Sequence, residues 1–177
     1  MKKAMFDAAG PERRVSFALR DSSLGLALIG ASGQGLCALM LGDSRETLLQ
    51  AARARFPNAE AGAGGEDFDS LASLALGLVE QPRRGWALPL DIEGTPFQRR
   101  VWQALREIPA GATASYAQIA ERIGQPSAAR AVAGACAANR IAVAIPCHRV
   151  LRGDGDISGY RWGVARKREL LAREAAA

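Results

Sequence analysis

The sequence predicts an α+β protein, with a three-stranded antiparallel sheet and helices in its first half and a mainly helical second half built around a helix-turn-helix. Two observations predict this class. Short β-prone runs separated by turn residues extend from Arg14 to Leu41. Capped segments with helical apolar periodicity follow through most of the remaining chain. We place a domain boundary after residue 93, which gives domains over 1–93 and 94–177.

In the first half, turn signals at Asp-Ser-Ser and Ser-Gly-Gln-Gly separate three predicted strands. Asp43 and Glu46 then form a capping-box pattern, and Pro57 lies beyond the apolar residues that follow it. This pattern predicts a helix over 44–55. The remaining predicted elements of this half are a loop over 61–65, a helix over 67–80 and an extended segment over 88–94.

The second half opens with Thr95, Pro96 and Gln98, which predict a capped helix over 96–107. Ser115 and Gln118 repeat the capping pattern and start a short helix. The sequence Gly-Gln-Pro ends that helix, and Ser127 is expected to cap another helix that runs through Ala138, so that two short helices flank a tight turn. After Asn139 the apolar run IAVAI predicts a buried extended segment.

Composition indicates a soluble protein. The chain has 177 residues, of which 49% are hydrophobic and 23% charged, and it lacks a run of roughly eighteen apolar residues that could cross a bilayer. The N-terminus has no secretory pattern, so we expect a cytoplasmic protein without membrane association. Three cysteines and one histidine are too few for a disulfide framework or a four-ligand zinc site, so reduced thiols and no bound metal are expected.

Charge is distributed unevenly along the chain. Residues 1–96 carry a net charge of −2, and residues 97–177 carry +7. A basic half suits a polyanionic partner, because neutralised phosphates release counterions. A solvated basic surface is the equally simple alternative.

The predicted helix SAARAVAGACAA has almost no side chain with which to read bases. Arg130 is its one charged residue. Sequence-specific recognition in the major groove needs several long polar side chains on one helix, which argues against an operator-binding repressor. A helix with small side chains can approach the minor groove closely. The alternative is a buried, alanine-rich packing helix.

The segment PCHRV places Cys147 next to His148, the only histidine in the chain. A thiol with a pKa of about 8.5 is mostly protonated near neutral pH, so a nucleophilic cysteine needs a base. The adjacent imidazole can supply one. A buried cysteine acting only as a small apolar residue is the alternative.

The elements PCHRV, SYAQIA and RAVAGACAAN together resemble those of the methylated-DNA–protein-cysteine methyltransferases, and the chain is most similar to the C-terminal half of Ada-type regulators of the alkylation response. The resemblance covers essentially the whole chain. It implies a ribonuclease H-like N-terminal domain and a C-terminal winged-helix-type domain. It also implies a monomer that binds duplex DNA from the minor groove without sequence preference.

The activity implied by the resemblance is DNA repair by direct reversal, in which the methyl group of a flipped O6-methylguanine moves irreversibly to Cys147. Each molecule would act once, and no cofactor would be needed. O4-methylthymine stays open as a second substrate. His148 would take the thiol proton through a water, Glu174 would orient His148, and Asn139 would hold the turn that carries the cysteine.

The resemblance also assigns residues to DNA contact and to the base pocket. Tyr116 would crowd the phosphate of the target nucleotide and support the leaving base, and Arg130 would fill the space that the base vacates. The other residues implied at the DNA surface are Ala128, Ala129 and Gly134, and those at the base pocket are Val150, Ser158, Gly159 and Tyr160. Trp102 and Trp162 are expected in the core, while Arg149, Arg152 and Arg161 are structural or face phosphates.

Two other functions remain open from the sequence. One is a non-catalytic DNA-binding module that senses alkylation damage or has a regulatory role, with Cys147 merely buried. The other is a cysteine hydrolase that uses Cys147 and His148, against which the absence of an evident oxyanion motif counts.

Overall fold

The computed structural model describes residues 14–62, 64–157 and 159–176, and the chain divides into two compact units. The first unit contains residues 1–80 and Trp86–Ile92, and the second contains Gln81–Gly85 and Glu93–Ala177. Within the described residues, no helix has both the length and the apolar character needed to cross a membrane.

A meander of three antiparallel strands forms most of the sheet in the first unit, as predicted. The strands are β1 (Val15–Ser22), β2 (Gly25–Ser32) and β3 (Gly35–Gly42), and a two-residue strand, β4 (Glu60–Ala61), pairs in parallel with β1. The strand β4 lies at the start of a stretch that the sequence predicted to be a loop. Because β2 and β3 are buried at nearly every position, their sequences read as continuous apolar runs.

Two helices pack on this sheet. They are α1 (Arg45–Arg55) and α2 (Gly65–Glu80). The side chain of Ser44 accepts a hydrogen bond from the backbone N–H of Thr47, so Ser44 caps α1, whereas the sequence had suggested Asp43 and Glu46. Ser44 is one residue closer to the first helical turn, where its hydroxyl reaches an unpaired backbone donor.

The second unit is mainly helical. Its helices are α3 (Pro96–Arg106), α4 (Tyr116–Arg122), α5 (Ala129–Ala137) and α6 (Val164–Ala175), and two-residue strands β5 (Ala114–Ser115) and β6 (Val150–Leu151) pair in parallel. The predicted capping boxes at Thr95 and Ser115 are both present. Helices α4 and α5 form the predicted helix-turn-helix. The winged-helix and ribonuclease H-like classifications stay predictions.

Two local predictions in this unit are wrong. Ser127 does not cap α5, since Ala128 is the N-cap residue and makes no side-chain hydrogen bond there. Residues 141–145 form a turn and not an extended segment, and Val143 has a φ of 66°. A short apolar run indicates burial, but periodicity alone cannot separate a strand from a compact turn. Trp102 and Trp162 lie in the core as expected, with 4% and 7% exposure.

Candidate active site

The turn that leads to Cys147 is held by the buried side chain of Asn139. Its Oδ1 accepts a hydrogen bond from the N–H of Ile141 at 2.9 Å, and its Nδ2 donates to the carbonyl of Ile145 at 2.9 Å. These bonds span the turn in which Val143 has a left-handed backbone, a conformation that β-branched residues rarely adopt. Asn139 therefore supplies the hydrogen bonds that a neighbouring strand would otherwise provide.

Cys147 is buried at the wall of a cavity of about 640 Å³. Burial raises the pKa of the Cys147 thiol above its ordinary value. Acting against burial, Nδ2 of Asn139 donates a hydrogen bond to Sγ at 3.2 Å, and the positive charge of Lys167 also lowers the pKa. The resting side chain is a thiol, so nucleophilic chemistry here requires a base.

His148 is placed to act as that base. The side chain is completely buried, and its Nε2–H donates to Oε1 of Glu174 at 2.7 Å. Burial lowers the pKa of His148, against the raising effect of Glu174, which favours a neutral ring. With the proton on Nε2, the lone pair of Nδ1 is available, and Nδ1 is buried without a hydrogen-bond partner among the described residues.

The carboxylate of Glu174 is held by His148 and Arg149. The guanidinium of Arg149 donates to both carboxylate oxygens over 2.7 to 3.1 Å and to the carbonyl of Ile108 at 2.6 Å. Burial alone would raise the pKa of Glu174, but hydrogen bonds from His148 and Arg149, with their charges, lower it to about 2. Arg83 donates to the backbone carbonyl of Glu174 at 2.8 Å, near the end of α6. The carboxylate is therefore ionised and rigidly placed.

Most of the residues predicted to contact DNA or the base line this cavity. Its lining residues are Tyr116, Ala129, Arg130, Ala133, Cys136, Ala137, Cys147, Arg152, Gly159, Tyr160 and Arg161. The hydroxyl of Tyr160 is buried without a hydrogen-bond partner among the described residues. Val150 is not part of the lining, because its side chain is completely buried and its carbonyl accepts a hydrogen bond from Lys167. Ser158 lies outside the described residues.

The outer side of α5 is a smooth surface next to the cavity. Arg130, Gly134 and Ala137 are exposed at i, i+4 and i+7, and Ala128 and Ala129 are partly exposed at the start of the helix. Apart from the adjacent residues and backbone of its own helix, a Cβ atom added at Gly134 would meet no atom of the described residues within 4 Å. The absence of a side chain there is therefore not required by packing within this protein.

Sequence reasoning missed three residues that shape the site. Arg149 was assigned only a general structural or phosphate-facing role, and neither Lys167 nor Cys136 was singled out. The available signals were a basic residue shortly after the apolar run IAVAI and the rarity of lysine in the chain. Among the described residues, no three His, Cys, Asp or Glu side chains are grouped so as to hold a metal ion.

Comparisons with known proteins point to one family. Residues 96–176 match the family model described as 6-O-methylguanine DNA methyltransferase, DNA binding domain. The chain is 49% identical over 175 residues to the bifunctional transcriptional activator/DNA repair enzyme Ada of Escherichia coli K12. This alignment covers 99% of this chain and 49% of Ada. It is 36% identical over 162 residues to the inducible methylated-DNA–protein-cysteine methyltransferase of Bacillus subtilis 168, covering 90% of this chain and 84% of that protein.

Solved structures show the same likeness. The crystal structure of Mycobacterium tuberculosis OGT in complex with DNA matches with a TM-score of 0.73 and 37% identity, over 92% of each chain. The chain belongs to the methylated-DNA–protein-cysteine methyltransferase family, as its sequence motifs predicted. It spans about half the length of several curated relatives that it matches, Ada among them.

Proposed function

We propose that this protein repairs DNA by transferring one methyl group from O6-methylguanine in duplex DNA to Sγ of Cys147. The observation that carries the proposal is the arrangement around that thiol. Cys147 lies at the wall of a cavity, Asn139 donates to its sulfur, and the adjacent His148 is held by Glu174 with Nδ1 open. The description of the matching family model and the DNA-bound relative support the same substrate class.

The chemistry is a displacement at a saturated carbon. A water bridging to Nδ1 of His148 would carry away the thiol proton of Cys147, and Glu174 would stabilise the imidazolium that forms. The sulfur lone pair then attacks the methyl carbon, so that an S–C bond forms as the C–O6 bond breaks. Guanine leaves with the electron pair, and the proton gained by His148 balances that charge. A thioether is not hydrolysed, so each molecule acts once.

The methyl group of a stacked guanine is out of reach of a buried thiol, so the target nucleotide has to rotate out of the helix, at a cost of about a few kcal/mol. The cavity of about 640 Å³ is large enough for a base, and Tyr116 and Arg130 line it. Arg130 is exposed on α5, where it can enter the stack and replace the lost contacts. The hydroxyl of Tyr160 is available as a hydrogen-bond donor to the base.

Contact with DNA is proposed to be made by the smooth side of α5 in the minor groove. Gly134 and Ala137 present no long side chain, so the helix can approach the sugar edges closely. The net charge of +7 over residues 97–177 supplies attraction to the backbone. Because α5 carries no set of base-reading side chains, binding is expected to be independent of sequence.

Loss of the lesion from DNA tests this function. A duplex containing one O6-methylguanine is incubated with excess protein, digested to nucleosides and analysed by chromatography. We expect the modified nucleoside to be replaced by 2′-deoxyguanosine, with no strand cleavage. Cys147→Ser should abolish the loss, whereas Cys136→Ser, in the same cavity, should retain it. A lesion that persists while the duplex is bound would instead identify a damage-sensing module.

A further inference from the structure

Lysine is rare in this chain, and Lys167 is the only one beyond the first three residues. The other two lysines are Lys2 and Lys3, and twenty arginines supply the remaining basic side chains. Lys167 is 1% exposed. A guanidinium keeps its proton in nearly any environment, whereas the pKa of a buried ammonium responds strongly to its surroundings. A buried lysine in a chain that otherwise uses arginine therefore points to a role that depends on this property.

The ammonium of Lys167 has no carboxylate as a counter-ion. Its Nζ donates to the carbonyl of Val150 at 2.7 Å, and in the part of the chain that the structure describes no acidic side chain forms an ion pair with it. An uncompensated buried charge costs several kcal/mol. Burial accordingly lowers the pKa of Lys167, and the groups whose negative charge would raise it are the thiols of Cys147 and Cys136.

Helix α6 places Lys167 beside the turn that carries Cys147. Lys167, Leu170 and Glu174 are buried at i, i+3 and i+7, so one face of α6 delivers both the ammonium and the carboxylate that orients His148. Val150, which accepts the hydrogen bond from Lys167, directly follows the turn Cys147–Arg149. The ammonium is thus anchored to the backbone three residues beyond the nucleophile.

We propose that Lys167 is the counter-ion of the Cys147 thiolate and sets how readily that thiolate forms. The inference rests on the proposed function in that Cys147 must lose its proton to accept a methyl group. In this step the S–H bond breaks, the proton passes to His148, and the electron pair stays on sulfur opposite the ammonium. Lys167 forms no covalent bond and keeps its three protons.

Other titratable groups near Cys147 do not supply this charge. His148 is neutral at rest and becomes cationic only by taking the Cys147 proton, so it does not favour the thiolate beforehand. The remaining groups are Arg161 and Tyr160 from the segment before α6 and Cys136 from α5. Arg161 is exposed, so solvent screens it. Tyr160 stays neutral because burial raises its pKa well above the ordinary value, and burial raises the pKa of Cys136 to about 12. Of these groups, Lys167 alone is both buried and cationic.

The first test measures thiol reactivity without DNA. The rate at which iodoacetamide modifies Cys147 is followed by peptide mass spectrometry across a pH series. We expect Lys167→Met to raise the midpoint of the rate profile by about one pH unit, which is about a tenfold lower rate near neutral pH. Lys167→Arg, which keeps the charge, should recover part of the loss, and Arg168→Met, which removes an exposed charge from the same helix, should match the wild type. Coinciding profiles for Lys167→Met and the wild type would overturn the proposal.

A second test leaves Lys167 unchanged and so does not depend on how its variants fold. Lysine labelled with ¹³C at Cε gives three signals, and those of Lys2 and Lys3 are assigned by their loss in Lys2→Arg and Lys3→Arg. If the ammonium of Lys167 stabilises the Cys147 thiolate, linkage requires that the thiolate raises the pKa of Lys167. We expect the Lys167 midpoint to fall by about one pH unit in Cys147→Ser and to be unchanged in Cys37→Ser, which changes a cysteine of β3 in the first unit. Equal midpoints in the wild type and Cys147→Ser would overturn the proposal.

Neither test uses methylated DNA, so their outcomes separate the two proposals. Coupling between Lys167 and Cys147, together with no methyl uptake from O6-methylguanine, would contradict the proposed function and leave the ion pair established. Methyl uptake without coupling would contradict only the role of Lys167.

Discussion

Replacing Glu174 with glutamine preserves the shape of the side chain and removes its charge. Glu174 is 1% exposed, and its pKa lies at about 2 in place of the ordinary 4.5. Each pKa unit corresponds to about 1.4 kcal/mol, so the charge of Glu174 contributes about 3 kcal/mol to folding near neutral pH. Seen from its partner, the same loss leaves the guanidinium of Arg149 buried without its anion, which costs roughly 3 to 5 kcal/mol, so the two figures estimate one interaction and are not added. We therefore predict a loss of about 3 to 5 kcal/mol.

Urea denaturation followed by circular dichroism measures this loss. The matched control is the double variant Glu174→Gln, Arg149→Met, which removes the uncompensated guanidinium along with the carboxylate. It should regain at least about 1 kcal/mol relative to Glu174→Gln. Methyl transfer should remain slow in both variants, because His148 lacks its anion. A loss below about 1 kcal/mol for Glu174→Gln, or no recovery in the double variant, would refute the reasoning.

The pH dependence of stability gives an independent check on the same group. Folding lowers the pKa of Glu174, so its contribution is fully present above the ordinary value of 4.5 and is lost as the pH falls through the folded value of about 2. The wild type should therefore lose stability more steeply than Glu174→Gln between about pH 5 and pH 2. Parallel stability curves for the two proteins over this interval would contradict the assigned ion pair.

Three further substitutions separate DNA contact from chemistry. Arg130→Ala should weaken methyl uptake from duplex DNA more than uptake from the free O6-methylguanine base, and equal losses would exclude its role in flipping. Gly134→Leu should leave urea stability unchanged or raise it by up to about 1 kcal/mol, because the helix gains a better helix former and the added Cβ meets no described atom outside its own helix within 4 Å. It should nevertheless weaken duplex binding in a mobility-shift assay, and unchanged binding would place α5 away from DNA. Tyr160→Phe should not destabilise the fold, since its hydroxyl has no partner among the described residues, but should slow repair of a duplex in a single-turnover assay. An unchanged rate would remove Tyr160 from base recognition.

The fold could be predicted where local patterns encode it. The capping boxes at Thr95 and Ser115 mark the starts of α3 and α4, and turn residues separate the three main strands. The turn over 141–145 could not be predicted in this way. Its conformation depends on the side chain of Asn139, which replaces the hydrogen bonds of a strand partner, and apolar spacing does not report such a bond.

Only the part of the site that is local in sequence could be predicted from the residues themselves. Cys147 and His148 are adjacent in sequence, so their pairing could be proposed from the residues alone. Glu174 is 26 residues from His148 and came only from the family resemblance. The contribution of Arg149 depends on its contact with Glu174 of α6, and that of Lys167 on the burial of its own face of α6, which are tertiary properties. For Lys167 the sequence did hold a signal, since a single internal lysine stands among twenty arginines.

Intact-protein mass spectrometry with peptide mapping, after incubation with a duplex that contains one O6-methylguanine, tests the central proposal most directly. The proposed mechanism predicts the gain of one methyl group per protein molecule, located on Cys147, which saturates and is not reversed by dilution. An unchanged protein mass alongside retained binding of the lesion duplex, or a methyl group on any residue other than Cys147, would contradict it.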